Sequence, residues 1–226
     1  MIIQEDDLRK NIEDKLNWDT RIDSSNIEID VNDEGLVQIQ GKVPSFSMKK
    51  IVSEDIRELS GVSKVKNDLT VEYTATVELK DQPTDAEIKK NVKIALELNA
   101  SIDATKIEVE VYSKIVKLRG TVNSFWKKEI AENVTSEVKG VTDVINEINI
   151  IPTENIFDKM IAKNITSILE RFYNVNPDNL DIFVKDGKVR VSGRVNDWAA
   201  YDVTMKAVKY TSGVKDIEDD IIIKSL

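Results

Sequence analysis

Apolar positions in this chain change spacing in a fixed order, and the whole order occurs three times. Steps of four join Leu8, Ile12 and Leu16, then Ile88, Val92 and Leu96, then Ile161, Ile165 and Leu169. That spacing puts each trio on one face of a helix. Strict alternation follows at Ile27, Ile29 and Val31, at Ile107, Val109 and Val111, and at Leu180, Ile182 and Val184. A second alternating run comes close behind, with Val37 and Ile39, Val116 and Leu118, and Val189 and Val191. Strands this near each other form a hairpin. Two of the turns, Asn32-Asp33-Glu34-Gly35 and Lys185-Asp186-Gly187, offer glycine for a positive φ. Lys114 stands where the others have glycine, so the second turn is predicted to be different or strained.

Ser45, Ser124 and Asp197 then occupy N-cap positions, where a side-chain oxygen satisfies a free N–H of the next helix. That helix carries Met48, Ile51, Asp55 and Leu59 on one diagonal of the first copy and Ile130, Val134 and Val138 in the second. Gly61, Gly140 or Gly213 is predicted to stop it as a left-handed cap. A last strand closes each unit at Val65, Leu69 and Val71, at Val144, Ile148 and Ile150, and at Ile217, Ile221 and Ile223.

The copies begin near Asp6, Asp85 and Asp158, offsets of 79 and 73 residues, and in each a glycine pair 20 residues apart ends in Gly-Val. A period this long exceeds a one-unit solenoid repeat and suits a very small domain. The fold class predicted is therefore α+β: three tandem small domains, each α-β-β-α-β, with a mixed three-stranded sheet and both helices packed on one face. The domains are placed at residues 4–72, 83–151 and 156–224. Such units bury a limited core, so packing between repeats is expected to supply part of the stability. The first linker, Glu72 to Thr84, is expected to extend the preceding strand before Asp81-Gln82-Pro83 breaks it. The second, Ile151 to Phe157, is short enough to couple repeats two and three closely.

The run Val-x-Leu-x-Gly-x-Val followed by a helix and Gly-Val-x-x-Val-x-Asn resembles the BON domain. It is clearest at Val116-Lys117-Leu118-Arg119-Gly120-Thr121-Val122 with Gly140-Val141-Thr142-Asp143-Val144-Ile145-Asn146, and at Val189-Arg190-Val191-Ser192-Gly193-Arg194-Val195 with Gly213-Val214. The family includes osmotically inducible bacterial periplasmic proteins. The resemblance implies a non-enzymatic module that binds phospholipid, or in some relatives other ligands or proteins, and it brings no catalytic residues.

The chain holds no His and no Cys. That excludes Ser-His-Asp and Cys-His nucleophilic sites, disulfides, and the nitrogen and sulfur ligands preferred by transition metals. Asp6-Asp7 and the group Asp216, Glu218, Asp219 and Asp220 lack the spacing of a Ca²⁺ loop. No metal, cofactor or catalytic residue is assigned, and a small-ligand or cation sensor is kept as an alternative. No run reaches the roughly 18 apolar residues of a membrane span. Met1-Ile2-Ile3 leads directly into acidic residues without a signal-peptide pattern. A cytoplasmic location is expected, or a periplasmic one if this is a mature form.

Net charge is −9, unevenly spread: −5 over residues 6–72, −1 over 85–150 and 0 over 158–224. The sequence pI of about 4.8 argues against nucleic acid as a partner. Outward positions on the second hairpin strand read Gln38 and Gln40, then Lys117 and Arg119, then Lys188 and Arg190. Two repeats thus present basic stripes that suit lipid phosphates or the acidic first repeat of another chain, the latter giving homo-oligomers. Phe46, Phe125 and Trp198 recur just inside the second helix and are expected to pack on their own domains. Trp126, with Ser47 and Ala199 at its equivalents, is the surface candidate, and Lys127 and Lys128 follow it. An indole beside ammonium groups suits an anionic membrane interface. Trp18 and Phe172-Tyr173 are assigned to contacts between repeats. The contact predicted for lipid headgroups is therefore Trp126, Lys127 and Lys128, with Lys117, Arg119, Lys188 and Arg190 in support.

Overall fold

The computed structural model describes residues 5–32, 34–72 and 82–223. Repeat one comprises α1 (Glu5–Trp18), β1 (Ile27–Val31), β2 (Leu36–Val43), α2 (Phe46–Arg57) and β3 (Lys64–Val71). Repeat two comprises α3 (Asp85–Leu98), β4 (Ile107–Tyr112), β5 (Ile115–Val122), α4 (Phe125–Ser136) and β6 (Asp143–Ile150). Repeat three comprises α5 (Asp158–Leu169), β7 (Leu180–Lys185), β8 (Lys188–Val195), α6 (Trp198–Lys209) and β9 (Asp216–Ile223). A 3-10 turn precedes the first strand of each repeat, an element the hydrophobic pattern does not announce because none of its residues is buried.

Each unit forms a three-stranded mixed sheet with the middle strand of the repeat at its centre. The hairpin strands pair antiparallel, and the last strand lies parallel to the central one across the helix. The alternating aliphatic residues of the central strand, such as Val116 and Leu118, are fully buried with the trio from the first helix. Gly41, Gly120 and Gly193 recur because a Cβ there would overlap the carbonyl oxygen of Asn26, Lys106 or Asn179 across the hairpin, at φ of +125°, +128° and +127°. The last strand of repeat one ends at Val71, and the expected extension beyond it lies largely outside the described residues.

The turn of repeat two keeps the geometry of repeat three. Ser113 and Lys114 take φ of +50° and +66°, against +54° and +82° for Asp186 and Gly187. Asp85 holds it by accepting the N–H groups of Ser113 and Lys114, as Asp158 does for Asp186 and Gly187. The turn is thus strained, not different, because Lys114 carries a Cβ in the left-handed region.

Two local expectations shift. The second helices end at Arg57, Ser136 and Lys209, before Gly61, Gly140 and Gly213, whose positive φ belongs to the turn that follows. Their buried faces are also rotated from the predicted diagonal. Val52 and Ile56 are fully buried in α2, and Ala131 and Thr135 in α4; of the predicted diagonals Asp55 is buried, while Met48, Ile51, Leu59, Ile130, Val134 and Val138 flank the core. The Thr135 and Thr204 hydroxyls donate to the carbonyls of Ala131 and Ala200, four residues back, so burial leaves them satisfied.

The rotation follows from what lies on the other side. Lys50 on α2 reaches Glu132 and Asn133 on α4, at 3.2 and 2.8 Å. Glu129 on α4 pairs with Lys209 on α6 at 2.6 Å. Phe125 packs against the cores of both repeat two and repeat three, and Trp198 against those of repeats three and one. Repeat one therefore contacts two, two contacts three, and three returns to one, through equivalent stretches of the second helices. Phe125 and Trp198 thus pack on their own domains as expected and are in addition shared with a neighbouring repeat. Conversely, Trp18, Phe172 and Tyr173, expected between repeats, are 76%, 41% and 102% exposed.

Candidate functional site

Position two of α4 places Trp126 half-buried, with the Lys127 ammonium 5.5 Å from its ring centre. The start of α4 is fixed by Asn146 on β6, whose side-chain amide donates to the Lys128 carbonyl at 2.9 Å and to Glu132 at 3.3 Å. Asn67 does the same for Lys49 in repeat one. In repeat three Asp219 accepts the Tyr201 hydroxyl instead, and burial and that carboxylate together push the tyrosine pKa up. The motif asparagine therefore anchors the helix that carries the candidate residues, a role its place after Gly-Val did not disclose.

N-capping differs among the three helices. The Ser45 hydroxyl accepts the Met48 N–H at 3.1 Å and Asp197 accepts the Ala200 N–H at 2.7 Å. Ser124 makes no such bond, and its hydroxyl is buried without a partner. The N–H it leaves uncapped is that of Lys127. Among the described residues, no carboxylate pairs with the Lys127 or Lys128 ammonium, in contrast to the basic stripes.

Those stripes are internally compensated. Lys117 meets Glu147 at 3.1 Å, and Arg119 lies 2.9 Å from both Glu110 and Glu147. Lys188 is 3.5 Å from Asp216 and 3.6 Å from Glu218, and Arg190 is 2.8 Å from Asp220. Hydrogen bonding to Arg119 and then Lys117 lowers the Glu147 pKa. The sheet register decides this: in repeat two both neighbours of the central strand carry carboxylates, Glu108 and Glu110 on β4 and Glu147 on β6, while in repeat three β9 alone supplies them, since Lys188 and Arg190 face Lys185 and Phe183 on β7. The structure brings Trp126, Lys127 and Lys128 together at one helix start and places Lys117, Arg119, Lys188 and Arg190 on two sheets.

A cavity of about 370 Å³ opens beside the start of α4, lined by Lys106, Thr121, Asn123, Lys127, Ile151 and Thr153 among others. A second, of about 330 Å³, lies at the seam of repeats one and three against Trp198. Among the described residues, no group of three or more acidic side chains is placed to hold a metal ion, and no helix is long and apolar enough to cross a membrane.

The BON domain family matches residues 4–73, 84–152 and 157–225. This chain belongs to that family. Its three BON repeats fill nearly its whole length. The chain is 29% identical to osmotically-inducible protein Y of Escherichia coli over 146 residues, which is 62% of this chain and 73% of that protein. Among solved structures, CdsD, a structural protein of the type III secretion system of Chlamydia trachomatis, is 14% identical with a TM-score of 0.26, covering 96% of this chain and 92% of the other. A structure of the CdsD C-terminal domain gives 14% identity and a TM-score of 0.25, with 98% and 100% covered. At those scores the likeness bears on neither the arrangement of the BON repeats nor their function.

Proposed function

We propose that this BON-domain protein is a non-enzymatic factor that binds phospholipid surfaces in an osmotic or envelope stress response. The observation that carries the reading is the start of α4, where Trp126 lies beside two lysines that no described carboxylate neutralises. An indole settles at headgroup depth while ammonium groups meet phosphate. The stress context rests on the likeness to an osmotically inducible protein. The compensated stripes add little net positive potential, so Lys117, Arg119, Lys188 and Arg190 are secondary contacts in this proposal.

Flotation of the full chain with anionic and neutral vesicles, at low and physiological salt, tests it. Binding to anionic vesicles that weakens with salt and with Trp126→Ala is the expected result. Absence of flotation under every condition rejects the reading.

A further inference from the structure

The cavity beside α4 has a composition that the lipid reading alone does not require. The 3-10 turn Ala104–Lys106, the end of β5, the start of α4 and the linker after β6 build it together. Two lysines line it, Lys106 and Lys127, with the polar residues Thr121, Asn123 and Thr153. Asp103 also lines it and pairs with Lys106 at 3.0 Å, while accepting the Thr105 hydroxyl. One cation is therefore compensated and the other has no carboxylate partner among the described residues. Ile151, 62% exposed, supplies an apolar rim.

The other two repeats serve as internal controls. At the place of Lys106 they carry Asn26 and Asn179, and at the place of Lys127 they carry Met48 and Ala200. Both cations are thus specific to repeat two. So is the free helix start: the N–H groups of Met48 and Ala200 are capped by side chains, and the corresponding Lys127 N–H is not. The Ser124 hydroxyl at the same turn is buried with no partner. Two lysines and neutral polar residues around one cavity, with an uncapped N–H on the lining residue Lys127, fit an anion with several oxygen acceptors.

We infer that the cavity formed by Lys106, Thr121, Asn123, Lys127 and Thr153 binds a phosphate group. In its lipid form this rests on the proposed function: the phosphate belongs to a phospholipid headgroup, with the exposed Ile151 of the rim against the glycerol and upper acyl region. A free phosphate or phosphate monoester satisfies the same polar groups without using that apolar rim.

The test uses the full chain and a double variant, Lys106→Asn with Lys127→Met, which introduces residues that other repeats already carry at these places. Vesicle partitioning is read alongside backbone amide spectra titrated with inorganic phosphate and glycerol 3-phosphate at constant ionic strength. The expected result is about 25-fold weaker partitioning to phosphatidylglycerol vesicles, at roughly fivefold per lysine. The Lys127 amide signal should shift with glycerol phosphate in the wild type, and the signals around the cavity should stay unmoved in the variant. If the wild type ignores vesicles but both phosphates shift Lys127 and its cavity neighbours, and the neighbours stay unmoved in the variant, the cavity stands as a free-phosphate site and the lipid reading falls. If wild type and variant float equally and neither phosphate moves Lys127, the cavity inference is overturned while lipid binding stands elsewhere. Loss of both signals in the wild type overturns both.

Discussion

Trp198 closes the ring of repeats, and truncating it should loosen repeat one from the other two. Its indole N–H donates to the Val62 carbonyl at 2.9 Å, its ring meets Tyr201 edge-on at 4.9 Å, and the Arg57 guanidinium lies 5.4 Å from its centre. It packs against the apolar residues of two cores. Because the residue is half-buried beside a cavity, Trp198→Ala is placed at the low end for aromatic truncation, about 3 kcal/mol. Trp198→Phe retains most of the packing, as Phe125 does at the neighbouring seam, and loses the hydrogen bond, a net cost of about 1 kcal/mol. Urea unfolding of the full chain measures both. Amide exchange at Val62 and Ser63 reports whether the damage is at the seam. The alanine variant should also broaden or split the transition, since repeat one no longer unfolds with its neighbours. A cost below about 1 kcal/mol with unchanged exchange at Val62 would refute the account of the closed ring.

Two further predictions concern single repeats. Lys114→Gly should stabilise the protein by about 0.5 kcal/mol, because relief of the left-handed Cβ exceeds the entropy glycine adds to the unfolded chain; a lower melting temperature would show that the lysine side chain outweighs the strain. Asp55, buried with one oxygen lacking a partner, stands where the other repeats have Val134 and Ala207. Burial and then Asp19 raise its pKa, so its contribution favours the fold at low pH and is lost as pH rises through the folded value. Asp19 is held well below the usual carboxylate range by Arg21, with Nε 2.9 Å from Oδ2. Its contribution has the opposite sign, present above the ordinary range and lost only on strong acidification. Asp55→Val should therefore gain about 1 kcal/mol at pH 7, an advantage that shrinks as pH falls through the carboxylate range. Denaturation at several pH values checks both the sign and the trend.

Short-range order was legible in the residues themselves. Trios such as Ile88, Val92 and Leu96, and alternations such as Val116 and Leu118, specify helix and strand because their periods match those of the backbone. Copying the pattern three times exposed the module. Gly41, Gly120 and Gly193 marked the same point in each copy because no side chain fits between the hairpin strands there. Trp126, Lys127 and Lys128 were visible as neighbours in sequence, and one helix start keeps them together.

What the sequence left open was every relation between residues on different elements. The basic stripes read as positive along one strand, but their charge is compensated across the sheet, in a register fixed by a parallel pairing that a whole helix separates from the central strand. Phe125 and Trp198 read as domain-internal aromatics and do pack on their own cores, but they also reach the neighbouring repeat, because the second helices face one another and a core of this size leaves large rings only partly covered. Lys106 and Lys127 are 21 residues apart, and only the folded turn, strand end and linker set them around one cavity. Local periodicity encodes the elements, since it acts through adjacent backbone geometry. Charge compensation, the seams and the phosphate cavity depend on distances that exist only after the elements have packed.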